Sequence, residues 1–181
     1  MRNPDQVRIR ACDPGAAPPG WCLRCVAVVQ ARPGERYARR DHRCHTLECV
    51  LAGAGLVEIG GQAHDCAPGD AYWLEEGRPH LIAADRQRPW RKIYCELHGP
   101  LLPQLAAAYG LDGRIFPGAG GAEALRGLLA HAGDDRSLHL LAGRVVHELV
   151  ARFHAAAASL PAWPALVVAA KQRLDAGLER P

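Results

Sequence analysis

A membrane-length apolar run, a large charge of one sign, an internal repeat and a second Cys-x-x-Cys pair are all missing from this sequence. Its apolar stretches fall short of the roughly 18 residues that a bilayer span requires, so no transmembrane helix is expected. A formal net charge of +3 is far from the dense Lys/Arg footprint of a nucleic-acid groove, which excludes DNA binding by charge alone. The seven cysteines (12, 22, 25, 44, 49, 66 and 95) are an odd number in a chain too long for a disulfide scaffold. The opening MRNPDQVRIRACDPG is polar and does not read as a signal peptide, so we expect free thiols and a cytoplasmic location. Cys22-x-x-Cys25 lacks a partner pair and its flanks alternate like a strand, so it reads as two small buried hydrophobes before it reads as half a zinc site.

What is present divides into two halves with two periods. The 181 residues, 49% of them hydrophobic, suffice for one substantial core and a small extension. Between residues 21 and 98 the chain runs in short β-like segments, WCLRCVAVVQA, TLECVLAG, GLVEIGG, AYWLE, HLIAAD and RKIYCELHG. Turn signals such as ARPGE, APGD and EEGRP separate them. Short strands at such close spacing indicate a β-sandwich or barrel. Farther on, Leu138, Leu141, Val145, Leu149, Phe153 and Ala156 recur at helical spacing, which predicts a long amphipathic helix over about 136–158. After the break at SLPAWP, the segment ALVVAAKQRLDAGLERP resumes a helical pattern.

The β half contains specific words: LECVLAGAGLVEIGGQAHDCAPGDAYWLEEGRPHLIAAD, then PWRKIYCELHGPLLPQLAAAYGL. The turn Pro68-Gly69-Asp70, the spacing from Gly69 to Gly77 and His80, and the pair Pro89-Trp90 resemble the amino-terminal sensing domain of AraC-type transcription regulators. The resemblance implies a mainly β fold with C-terminal helices: a cupin β-barrel (jelly roll) followed by amphipathic dimerisation helices. It implies an N-terminal arm at 1–20, a ligand-binding barrel at 21–112, a helical dimerisation region at 113–160 and, at 161–181, the first helix of a truncated DNA-binding domain. The recognition helices themselves are not in the sequence, and base readout needs a helix placed in the major groove.

The stretch His42-Arg43-Cys44-His45-Thr46-Leu47-Glu48 concentrates chemistry. Alternate residues of a strand share a face, so a strand running back to His42 places His42, Cys44, Thr46, Glu48 and Val50 together, with His45 opposite. The resemblance adds His80 at the downstream cupin position. His42, Cys44, Glu48 and His80 form a candidate divalent-metal set for Zn, Ni or Fe, with His45 replacing Cys44 if the strand begins late. The same residues can instead line a metal-free pocket for a small polar effector, with Arg24, Arg39, Trp73, Tyr94 and Glu96 as further candidates.

Two functions compete. One is a ligand-sensing and dimerising module of a regulator, with a small-molecule effector, a homodimer through Leu138, Leu141, Val145 and Leu149, and DNA reached only through the full-length protein's C-terminal domain. The other is a small cupin metalloenzyme of dioxygenase or isomerase type. Cys44 in place of a usual ligand and the long amphipathic helix favour the regulator, which is not an enzyme. His147 and His154, one heptad apart, flank the stripe.

Overall fold

The structure, a computed structural model, describes residues 7–111 and 113–159. In chain order its strands are β1 (Val7–Ala11), β2 (Cys22–Gln30), β3 (Arg36–Arg39), β4 (His45–Ala52), β5 (Gly55–Ile59), β6 (Gln62–Cys66), β7 (Ala71–Leu74), β8 (His80–Ala84), β9 (Arg91–His98) and β10 (Ile115–Phe116). The helices are α1 (Leu102–Tyr109), α2 (Ala122–Ala130) and α3 (Asp135–Ser159). The strands form two antiparallel sheets, one of order β1-β2-β9-β4-β7-β10 and one of order β3-β8-β5-β6. The expected barrel is thus built as two sheets facing each other, with the helices as a third layer outside the larger one.

Period-two alternation sorts the side chains between these layers. On the six-stranded sheet Leu47, Cys49, Trp73, Ile93, Cys95 and Leu97 point outward, where Leu125, Leu128, Leu138, Leu149 and Phe153 of the helices cover them. Val50, Tyr72 and Leu74 point inward and meet Val57, Ile59, Ile82 and Trp90. Each large side chain so buried contributes roughly 1.5–3 kcal/mol. Gly55 is fixed by this packing, because a Cβ there would stand 2.4 Å from the Trp90 ring and 2.5 Å from Ala83 O.

The turn at Pro68–Asp70 joins several elements. Gly69 holds φ +94°, a conformation that favours glycine, and its N–H donates to Val50 O. Asp70 accepts from Ala67 N through one carboxylate oxygen and from Gly118 N through the other. The sheet and the start of the helical region are thereby tied at one corner.

Several expectations change here. The stripe of Leu138, Leu141, Val145 and Leu149 does not form a dimer seam. Leu138, Val145 and Leu149 are buried in the chain's own core and Leu141 packs beside them. The outer face of the large sheet is itself apolar, and a helix of the same chain covers it without the entropy loss of association. The segment 113–160 is not wholly helical, since β10 pairs with β7 and the residues around His131–Asp134 separate α2 from α3. Asp134 starts α3 by accepting from Ser137 N at 2.8 Å. His147 and His154 both close on Tyr109 of α1, through its hydroxyl at 2.8 Å and its carbonyl at 3.0 Å.

The N-terminal arm contributes a strand, β1, paired with β2. Arg10 donates to the carbonyls of His131 and Gly133, and Asp13 N donates to Asp135. His139 of α3, fully buried, accepts from Leu23 N at 3.2 Å and donates to Asp13 O at 2.9 Å. The expected first helix of a DNA-binding domain at 161–181 lies outside the described residues. No helix among the described residues is long and apolar enough to cross a membrane.

Candidate ligand-binding site

A cavity of about 430 Å³ opens between the two sheets, walled by β2, β3, β4, β8 and β9. Although β4 begins only at His45, the alternation continues back through residues 42–44, so His42, Cys44, Thr46 and Glu48 all line the cavity. Gly77 N donates to His42 O at 2.7 Å and holds this extension in place. His42 Nε2 lies 2.9 Å from Thr46 Oγ1, and Cys44 Sγ lies 3.8 Å from each. From the opposite sheet His80 brings its ring edge-on to His42, with centroids 4.7 Å apart. Arg39 pairs across β3 and β8 with His80, and Arg24 sits at the β2 bulge between Leu23 and Cys25. Both line the mouth with Tyr94 and Glu96.

The cavity floor holds a buried charge pair. Lys92 Nζ donates to Glu48 Oε2 at 2.6 Å and to the Tyr72 hydroxyl oxygen at 2.8 Å, while that hydroxyl donates to Glu48 Oε2 at 2.7 Å. The ammonium also stands 4.4 Å above the Trp90 ring centroid, a cation–π contact. Taking both charges out of water is costly, and the closed triangle of hydrogen bonds offsets that cost. Burial, followed by the Glu48 charge, pushes the Tyr72 hydroxyl well above its ordinary range.

Burial also sets the imidazoles. It carries His42 down to about 4, helped by the neighbouring His80 and Arg39, and lowers His80 as well, so both rings are neutral near pH 7. The Cys44 thiol is pushed up, first by burial and then by Glu96. His80 Nδ1 faces the Arg78 carbonyl at 3.2 Å, and a carbonyl can only accept, so Nδ1 carries the proton. Nε2 is then a lone-pair acceptor, buried and without a hydrogen-bond partner. His42 Nδ1 is likewise buried and unpartnered. Buried polar atoms are rarely left so, and both nitrogens belong to rings that line the cavity.

Of the candidate residues, Arg24, Arg39, His42, Cys44, Glu48, His80, Tyr94 and Glu96 all line this cavity. Trp73 does not. It is fully buried on the outer face of the large sheet, under the helices, with His45 tilted against it at 5.4 Å. The register pairs Glu48 with Tyr72 and Leu47 with Trp73, so Tyr72 shares the inward face and Trp73 cannot. Lys92, Tyr72 and Trp90 were not among the candidates. Lys92, Tyr94 and Glu96 follow one strand parity in RKIYCELH, which is the signal that points to the lysine.

The metal set His42, Cys44, Glu48 and His80 lines the cavity but is not gathered into a coordination shell. Among the described residues no three His, Cys, Asp or Glu side chains converge to hold an ion. Glu48 already has the Lys92 ammonium on its oxygen, and a metal there would face that charge. His45, the alternative ligand, faces away beside Trp73.

Two facing antiparallel sheets around a polar-lined cavity, backed by helices, define a cupin-type fold. The model of the AraC-like ligand-binding domain matches residues 25–156, and the chain belongs to that family. No curated protein matches the chain. Among solved structures it is similar to a cupin superfamily protein from Desulfitobacterium hafniense (17% identity, 54% of this chain and 82% of that one, TM-score 0.39). It is also similar to KdgF from Halomonas sp. (16% identity, 53% and 83% covered, TM-score 0.39). A third likeness is to the cupin domain of an XRE family transcriptional regulator from Enterobacter cloacae (15% identity, 52% and 98% covered, TM-score 0.39).

Proposed function

We propose that this chain is the effector-sensing domain of an AraC-family transcriptional regulator. It binds a small polar molecule between its sheets and thereby controls DNA binding by a helix-turn-helix domain of the full-length protein, in the cytoplasm. The observation that carries this reading is a cavity of about 430 Å³ lined by His42 and His80, two rings that each keep one buried nitrogen, Nδ1 and Nε2 respectively, without a hydrogen-bond partner. That volume falls in the usual range for small-molecule sites, and a ligand that supplied the missing partners would gain the energy now forgone at these atoms. A homodimer would use the outward face of α3, where Leu140 stands 60% exposed, because the inner stripe is occupied. The test is a thermal-shift screen of small polar metabolites against the chain and His80→Phe. We expect at least one compound to raise the unfolding temperature of the former and not the latter; compounds that stabilise both equally would overturn the assignment.

A further inference from the structure

Two arginines stand over the cavity mouth from opposite sheets. Arg24 at the β2 bulge and Arg39 at the end of β3 both line it, and both lie close enough to Cys44 to act on its thiol. Neither makes an ion pair among the described residues. Arg39 rests over the Tyr37 ring, 4.6 Å from its centroid, which orients the guanidinium without neutralising it. The remaining cations have partners: Arg43 has Asp41 at 3.7 Å, and Lys92 has Glu48 at 2.6 Å. Glu96, beside Cys25 and Cys44, opposes the two arginines, while Glu35 accepts from the Arg32 backbone at 2.9 Å.

The chemistry therefore differs along the cavity. Inside, His80 Nε2 is a bare acceptor and needs a hydroxyl or N–H donor. At the mouth, two exposed guanidiniums can fork onto an acceptor of opposite charge. We propose that the effector is a small organic carboxylate that also carries a hydroxyl group, its carboxylate held between Arg24 and Arg39 and its hydroxyl donating to His80 Nε2. This rests on the reading of the cavity as an effector pocket. A neutral polyol would satisfy the imidazole but leave two guanidiniums against the single charge of Glu96, and a cationic ligand would be repelled by them. Guanidinium–carboxylate pairs add two parallel charge-assisted hydrogen bonds, which is where selectivity for the acid arises.

Isothermal titration of the chain with two acid–neutral pairs of matched shape tests the proposal: 4-hydroxybenzoate with 4-hydroxybenzyl alcohol, and gluconate with sorbitol. At least one acid should bind about tenfold tighter than its neutral counterpart, a difference of the size that charge-assisted bonds supply. Arg24→Gln and Arg39→Gln should each remove most of that preference without changing the unfolding temperature, since both side chains are exposed. Glu96→Gln should strengthen acid binding. Equal affinity for acid and neutral, or a preference that survives both arginine changes, would overturn the carboxylate assignment. If the neutral compounds bind and His80→Phe abolishes it, the pocket stands and only its charge preference falls. If none of the four binds to the folded chain, both the assignment and the pocket reading fail.

Discussion

Lys92 carries its charge to a position where only 7% of its side chain is exposed, and Glu48 is equally enclosed at 8%. Removing one member strands the other, so Lys92→Met should lower stability by about 3–5 kcal/mol in urea titrations. Removing both should be far milder, and the double change Glu48→Gln with Lys92→Met should recover most of the loss. A double variant as unstable as the single would show that the pair does not act as a unit. His42 supplies a second expectation at this scale. Its folded value, about 4, lies below the ordinary 6.5, so between those limits the unfolded chain takes up a proton that the folded ring refuses. The contribution is complete above about pH 6.5 and is lost as pH falls toward 4, with a slope of at most about 1.4 kcal/mol per pH unit for the group. His80 acts in the same direction. His42→Gln should flatten the stability profile between pH 6.5 and 5; an unchanged slope would contradict the buried neutral ring.

α3 binds the molecule together through its inner face. Leu149→Glu, which places a charge in the core between helix and sheet, should prevent folding, whereas Leu140→Glu on the outer face should leave the unfolding midpoint within the small range of surface changes. If Leu140→Glu alters the sedimenting mass instead, the outer face is a dimer contact. His139→Leu leaves Leu23 N and Asp13 O without their partners and should cost about 1–3 kcal/mol for each group left buried, read by urea titration against the parent chain. The elements themselves were largely legible in the sequence, because the alternation in TLECVLAG and RKIYCELH and the helical stripe after Leu138 are local signals. Which face each element presents was legible only in part. The parity of His42, Cys44, Thr46 and Glu48 follows from one segment, but the choice between Tyr72 and Trp73 depends on the β4–β7 register, a pairing of residues far apart in the chain. The stripe on α3 read as a dimer seam for the same reason: its partner is a sheet face assembled from five separate segments.

At the scale of the whole molecule, one sheet serves two purposes. Its outer face is sealed by helices and makes the main core, while its inner face holds a balanced charge pair at depth and the His42 imidazole, which His80 meets from the facing sheet. The His139 link joins α3 and the N-terminal segment to Leu23, the residue next to Arg24 on the cavity mouth. The cavity mouth therefore lies beside the point where strand, helix and N-terminal segment are bonded together.

The most direct measurement of the central claim is a nitrogen-15 spectrum of the histidine rings at neutral pH, followed as the strongest ligand from the thermal-shift screen is added. Before addition, His80 should be neutral with its proton on Nδ1 and a free Nε2 lone pair, and on addition the Nε2 resonance should move as that atom gains a donor. A His80 ring that carries its proton on Nε2, or an Nε2 signal that stays fixed while the ligand saturates the protein, would contradict the account.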